Sequence, residues 1–356
     1  MKYTMIMIAS ATLLAAHAAD AREIRVPEVV PTIQAAIDQA KPGDVVSVKP
    51  GSWNQASDLK GKAITLQSRE GAEKTLLDGT SLGESVLRCI SGEGPKTVIE
   101  GFTIVNGTGH QKLYGTKSAV GGGLVILGAS PTIRHCVFLD NDVNYNGGAV
   151  YIASGALARF EDCTFKDNAA EKGGAVYSVQ SSPTFEKCYF KNNEGRYSGG
   201  ALYNADGTKA SIHSCQFESN RANYYGGGIY EYGSHSSLKK CIFDRNRATY
   251  KGGAVCNGYQ GKSTLEECTY LTNHDDVAGG DAPHVTAVAP TGACVVGDGS
   301  CLVVSKQSCE EAGGSYRGDA SDCSGQSLTK VAHGNDLNQD GRIDDRDALM
   351  LLLLWR

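Results

Sequence analysis

The stretch CTFKDNAAEKGGAVY, residues 163–177, decides the fold, because its two halves, C-x-F-x-x-N and G-G-A-V-Y, return along the chain. The first half stands at Cys136-Val137-Phe138 with Asn141, Cys163-Thr164-Phe165 with Asn168, and Cys188-Tyr189-Phe190 with Asn193. It continues at Cys215-Gln216-Phe217 with Asn220, Cys241-Ile242-Phe243 with Asn246 and Cys268-Thr269-Tyr270 with Asn273, in steps of 25 to 27 residues. A glycine pair follows each asparagine: Gly147-Gly148, Gly173-Gly174, Gly199-Gly200, Gly226-Gly227, Gly252-Gly253 and Gly279-Gly280. A degenerate earlier copy runs from Gly101-Phe102 through Asn106 to Gly121-Gly122. Such a period marks stacked units that cannot bury their apolar face alone. Within each unit the apolar residues come in short bursts, such as Ile212 then Cys215 and Phe217, separated by polar and glycine turns rather than at helical spacing.

Each unit therefore reads as one coil of short strands, every strand pairing in parallel with its counterpart roughly 4.8 Å away along the axis. Equivalent residues then form ladders. Cys on Cys and Phe on Phe pack, while Asn on Asn passes amide hydrogen bonds from coil to coil at a buried bend. The expected fold is an all-β, right-handed parallel β-helix over residues 22–280, a solenoid of coils of about 26 residues. Alternation puts each ladder cysteine on the face of its Phe, so these six are expected as buried free thiols, protonated and unreactive. Pro31 to Ala40 reads as an amphipathic helix with Ile33, Ala36, Ile37 and Ala40 on one face, placed to cap the open first coil.

Two resemblances rest on these residues. The segment P-T-I-Q-A-A-I-D-x-A-x-x-G-D-x-V-x-V-x-P-G-x-W, residues 31–53, resembles the opening of pectin-lyase-like parallel β-helix proteins. The F-x-x-N and G-G-A-[VIL] pair resembles the repeats of polymorphic outer-membrane proteins, which are bacterial surface adhesins. The first implies a scaffold that hosts lyases, hydrolases and esterases as well as non-enzymes, so a function must be argued from a site. The second implies adhesion.

Composition supports short strands and tight turns: 44 Gly, 12 Cys and 16 Tyr stand against 2 Trp and 9 Pro. A net charge of -5 without a Lys/Arg block excludes a nucleic-acid or anionic-membrane surface. Met1-Lys2, the apolar run from Met5 to Ala16 and Ala16-His17-Ala18 read as a signal peptide over residues 1–18, with an alternative cut after Ala21. The run is shorter than the about 20 residues a spanning helix needs, so a secreted or cell-surface protein without a transmembrane span is expected.

Chemistry is harder to find. His274-Asp275-Asp276 lacks the G-H-G and R-I-K partners of polygalacturonases, and the motifs of pectin methylesterases are not recognisable. Asp140, Asp167, Glu218 and Asp244, interleaved with Lys166, Lys191 and Arg245, form either a calcium and uronate stripe or a solvated charged face. No catalytic residue is assigned. The ligand candidates are Tyr145, Tyr197, Tyr224 and Tyr250, each two residues before a glycine pair, which stacked coils would turn into a flat aromatic strip for sugar rings or a protein partner. A second column, Tyr151, Tyr177, Tyr203 and Tyr230, has a facing that alternation does not decide. The 15-residue step from Asn106 to Gly121 inserts a loop with His110 and Tyr114 as further ligand candidates.

Residues 281–292 read as a linker and 293–324 as a Cys-rich module, in which Cys294, Cys301, Cys309 and Cys323 are candidates for two disulfides with three possible connectivities. In residues 334–356, Asp336, Asn338, Asp340, Arg342, Asp344 and Asp347 occupy the positions of a calcium loop, with Gly341 at its sharp turn. The terminal Asp347 makes this loop similar to one repeat of a dockerin, followed by a short helix from Ala348 to Trp355; the resemblance implies calcium and a cohesin-like partner. The expected function is an adhesin-like binding or structural module for glycans or surface partners. The alternative is an extracellular polysaccharide-degrading enzyme of pectate-lyase-like type that cleaves uronic-acid polymers.

Overall fold

The computed structural model describes residues 21–109, 118–274 and 276–278, together with the backbone of three strands beyond them. The signal-peptide residues, His110 and Tyr114, Cys309, Cys323 and the calcium-loop residues Asp336 to Asp347 lie outside the described residues. The chain winds into a right-handed parallel solenoid whose three faces are three parallel sheets. Sheet A has ten strands, from Glu23–Val26 to Lys262–Glu266; sheet B has nine, from Gly51–Trp53 to Thr269–Tyr270; sheet C has nine, from Ser57–Asp58 to Val277–Ala278. A shorter sheet D fills the bend between B and C with Ala169–Lys172, Glu194–Ser198, Arg221–Ala222 and Arg247–Ala248.

The expected cap is present. Helix α1, Ile33–Gln39, starts at Thr32, whose hydroxyl accepts the Ala35 N–H at 3.1 Å, and it buries Ile33, Ala36 and Ile37. At its other end the Lys62 ammonium donates to the carbonyls of Ile37, Asp38 and Ala40 at 2.7, 2.7 and 2.9 Å, covering the carbonyls at the helix's C-terminal end, where the backbone runs out of donors.

Ladders hold the coils in register. Phe138, Phe165, Phe190, Phe217 and Phe243 are fully buried and stack with ring centroids 4.7 to 4.9 Å apart. That spacing equals the strand separation, so each ring keeps both faces covered without tilting. In the asparagine ladder, Asn168 Nδ2 donates to the Phe138 carbonyl at 2.9 Å and to Asn193 Oδ1 at 3.0 Å, while the Asn168 N–H donates to the same Oδ1 at 3.1 Å. The pattern repeats from Asn141 through Asn246. The ladder cysteines are buried and unbridged, each pointing its thiol at backbone carbonyls, as Cys136 does toward Ile99. Burial pushes the Cys136 thiol up to about 12.

Sheet B is narrow because sharp corners flank it. His135, Asp162, Lys187, Ser214, Lys240 and Glu267, each just before a ladder cysteine, take left-handed φ values of 49° to 54°. Asp140, Asp167, Asn192, Ser219 and Arg245, each just before a ladder asparagine, do the same. This corrects the acidic stripe. Asp140 and Asp167 belong to the corner column, whereas Glu218 and Asp244 follow Lys166 and Lys191 in the preceding column, so the four acids do not form one stripe, and the adjacent Glu218 and Asp244 are bridged by Arg245. Among the described residues no group of three or more His, Cys, Asp or Glu is placed to hold a metal ion.

The glycine pairs are the sites of closest approach between coils. Gly173 has φ +66°, and a side chain on Gly174 would run into the Gly200 carbonyl of the next coil. Beyond the solenoid, strands Thr291–Val295, Cys301–Ser305 and Ser315–Tyr316 form a separate antiparallel sheet that holds the backbone of Cys294 opposite Leu302 and of Val295 opposite Cys301. Its first strand begins at Thr291, inside the stretch expected as linker.

Candidate functional site

The strands of sheet C resolve which face of the G-G-A-V-Y segment is buried. Val150, Val176, Leu202 and Ile229 point into the core, and Tyr151, Tyr177, Tyr203 and Tyr230 point outward in register with one another. This outer column is nevertheless covered: Tyr151, Tyr203 and Tyr230 retain only 8%, 5% and 8% of their exposure, because each ring stacks on its neighbours. Burial raises the phenols of Tyr177 and Tyr203, and pushes Tyr230 up to about 12, so all three stay neutral.

The other column is open, as its place in a bend suggests. Tyr145, Tyr197, Tyr224 and Tyr250 are 37%, 41%, 40% and 60% exposed. Parallel bridges that join Asn146 to Lys172 and Lys172 to Ser198 set Glu171 between Tyr145 and Tyr197, so Tyr145 stands apart from the other three. Tyr197 and Tyr224 have centroids 4.8 Å apart, and Tyr224 lies parallel to Tyr250 at 5.4 Å. The strip differs from the flat platform expected: Tyr197 and Tyr250 stand on either side of the Tyr224 ring, and the most exposed ring of the column is Tyr250. Contacts continue through Tyr225, 5.7 Å from Tyr230, to Tyr232 and Tyr259, the last 65% exposed. The Lys172 ammonium sits 5.8 Å from both the Tyr197 and Tyr203 rings and links the open column to the covered one.

Beside the open tyrosines the structure places two cations that the sequence reading passed over. Sheet D pairs Glu194 with Arg221 and Arg221 with Arg247, and a bridge pairs Arg247 with His274. Arg221, Arg247 and His274 are exposed. Neither guanidinium has an ion-pair partner among the described residues. The nearby Arg196 differs, since it reaches two coils back to clasp both oxygens of Asp142 at 2.7 Å. The signal was legible: Asn220-Arg221-Ala222-Asn223-Tyr224 and Asn246-Arg247-Ala248-Thr249-Tyr250 repeat the same arginine three residues before the same tyrosine. Ala222 and Ala248 turn inward, which leaves each arginine on the outer side of its strand, with the exposed tyrosine in the turn two residues beyond the strand's end.

Two other polar surfaces are already satisfied internally. On sheet B the Tyr189 hydroxyl, Lys191 and Arg245 converge on Glu218, with Lys191 at 3.2 Å and Arg245 at 2.7 Å. Burial alone would raise the Glu218 carboxyl, but those three donors hold it below the ordinary carboxylate range. On sheet A a groove of about 480 Å³ is lined by Gln67, Arg69, Glu100 and His135. Arg69 pairs there with Glu28, and Glu100 with Arg134 and His135.

Residues 89–236 and, in an overlapping match, residues 122–308 fit the family model of the right-handed β-helix region. The chain belongs to the right-handed β-helix family. Solved structures to which it is similar include the deglycosylated pectin methylesterase from Aspergillus niger, at 11% identity and a TM-score of 0.47 over 74% of this chain and 90% of that one. Carrot pectin methylesterase is similar at 11% identity and a TM-score of 0.46, over 77% and 91% of the two chains. A PL6-family alginate lyase follows at 13% identity and 0.33, over 80% and 55%. No curated protein matches the sequence.

Proposed function

We propose that this right-handed β-helix chain is a secreted or cell-surface binding module whose ligand is an acidic glycan lying along the ladder of Arg221, Tyr224, Arg247 and Tyr250. One observation carries the reading: guanidinium groups without an ion-pair partner among the described residues recur on consecutive coils, each beside an exposed tyrosine, where the other exposed arginines described are paired. A guanidinium presents a planar fork that matches carboxylate or sulfate, and a phenol edge supplies a hydroxyl and an apolar flank to a sugar. The coil spacing of roughly 4.8 Å lets successive coils meet successive sugars of an extended chain.

The test is affinity electrophoresis of the wild-type protein and the double variant Arg221→Gln/Arg247→Gln in gels of neutral, carboxylated and sulfated polysaccharides. Retention by an acidic polymer, weakened about 10- to 100-fold in the double variant, supports the reading. Equal retention of both proteins, or binding to a protein partner with no glycan retention, overturns it.

The Glu218 cluster favours a second reading, a lyase acting on uronic-acid polymers, because it sets a lysine and a tyrosine beside a carboxylate on an outer face. Absorbance of unsaturated products released from such polymers in the presence of calcium would establish it. The tail is proposed to hold calcium through Asp336, Asn338, Asp340, Arg342, Asp344 and Asp347, the Arg342 position contributing its backbone carbonyl, and through it to meet a cohesin-like partner; Cys294, Cys301, Cys309 and Cys323 are proposed to form its two disulfides. Loop spacing supports the calcium reading, and the signal-peptide-like start of the sequence supports the disulfides.

A further inference from the structure

Inside the solenoid one column changes character along the axis. Cys89, Ile126 and Ile152 occupy the inward position of sheet C in the early coils; Ser178, Asn204, Glu231 and Asn257 occupy it in the later ones. Glu231 has no exposure at all. A carboxyl in such a place needs a cation or a proton. The groups that surround it are neutral: Asn204 on the strand before it, Asn257 on the strand after it, and Ser234 and Ser236 at the following corner. Its titration is governed by burial and then by hydrogen bonds from Ser234, Asn204 and Ser236, with no charged neighbour contributing.

Proton counting at Ser234 indicates which form of the carboxyl fits. Ser234 Oγ lies 3.0 Å from the Asn204 carbonyl oxygen and 2.6 Å from Glu231 Oε2. A hydroxyl has one proton, so it cannot donate to both. With a neutral Glu231 the ring closes: Oε2–H donates to Ser234 Oγ, Ser234 O–H donates to the Asn204 carbonyl, and Asn204 Nδ2 donates to Glu231 Oε1 at 2.8 Å. With an ionised Glu231 both oxygens only accept, Ser234 must abandon one acceptor, and a full charge is left in the core. Ser178 and Ser181, whose hydroxyls have no partner among the described residues, lie two coils before Glu231, with Asn204 on the strand between, so they do not supply the missing donor.

We propose that Glu231 is a proton-operated clasp, whose neutral carboxyl holds the coil carrying Ile229–Tyr232 and His235–Lys239 against the coil before it and whose ionisation loosens that coil. Burial pushes the folded-state carboxyl up to about 7 from an ordinary value near 4.5. The sign follows from linkage: the folded coil binds the proton more tightly than the open one, so the stabilisation is complete below about pH 4.5 and is lost as pH rises to about 7. Above that value no further change is expected from this group.

Hydrogen exchange of the full chain tests the proposal. After correction for intrinsic rates, protection of the Ile229–Tyr232 and His235–Lys239 amides, taken relative to Val150–Ala153, should fall about 30-fold between about pH 5.5 and about pH 9. Glu231→Gln replaces the O–H donor with an amide N–H donor, closes the same ring and cannot titrate, so its ratio should be flat. A flat ratio in the wild type, or the same fall in Glu231→Gln, overturns the clasp. Infrared spectroscopy needs no variant: at about pH 6.5, where exposed carboxyls are ionised, a protonated-carboxyl band should persist and vanish by about pH 9. Its absence at the lower pH is equally fatal to the proposal.

Discussion

Asn193 shows how much one residue carries in a ladder. Its Oδ1 accepts the N–H and Nδ2 of Asn168, and its own Nδ2 donates to the Phe165 carbonyl and to Asn220 Oδ1. Asn193→Ala strands all of these groups in a dry bend, and a cost of about 3 kcal/mol or more is expected in urea denaturation. Asn223→Ala should cost less than about 0.5 kcal/mol, since that half-exposed side chain makes one bond, to the Arg196 carbonyl at 2.9 Å. The residue scale was also the most legible in sequence. A ladder needs the same residue at the same step, so Phe138 to Phe243, Asn141 to Asn273 and the ladder thiols declare themselves by recurrence. Arg221 and Arg247 recur only twice, each three residues before a tyrosine, and sit in a bend where charged residues are ordinary, so it is their lack of ion-pair partners among the described residues that sets them apart in three dimensions.

The coil is the element of this molecule, and its closest contact sets its tolerance. At Gly200 an added methyl would meet the Gly227 carbonyl and the Arg221 backbone of the next coil. Gly200→Ala should therefore lower stability by about 3 kcal/mol or more, read as a lost or broadened thermal transition. Gly94→Ala has no atom within 4 Å and no left-handed φ, and should leave the transition in place. At this scale the sequence said less. A two-residue alternation tells which side chains share a face, yet not which face turns inward. For Val150 and Tyr151 the answer comes from the register of sheet C, whose Val150, Val176, Leu202 and Ile229 join the core; the left-handed corners before each ladder cysteine and asparagine act on sheet B, which they flank. The same corners separate Asp140 and Asp167 from Glu218 and Asp244. Glu231 was equally hidden, since a glutamate beside two tyrosines reads as an outer-face residue until the register with Ile152 and Asn204 is known.

On the scale of the whole molecule, stacking makes each face of the solenoid a record of one position in the repeat. The faces are not equivalent. Sheet A carries charges paired across coils, as Arg159 with Glu186 and Lys239 with Glu266; sheet B gathers its charge on Glu218; the bend of sheet D leaves Arg221 and Arg247 without an ion-pair partner among the described residues. Regularity of this kind yields a fold from sequence almost outright, because coil length, cap and core positions are all written in the period. It yields little about a ligand, because a binding face is set by which charges lack partners, a property of neighbours about 26 residues apart. Counterion release offers the most direct test of the central claim. If Arg221 and Arg247 contact an acidic glycan, the slope of log affinity against log salt for the polymer retained best should flatten by about one to two in Arg221→Gln/Arg247→Gln relative to wild type. A slope unchanged by the double substitution would contradict the account.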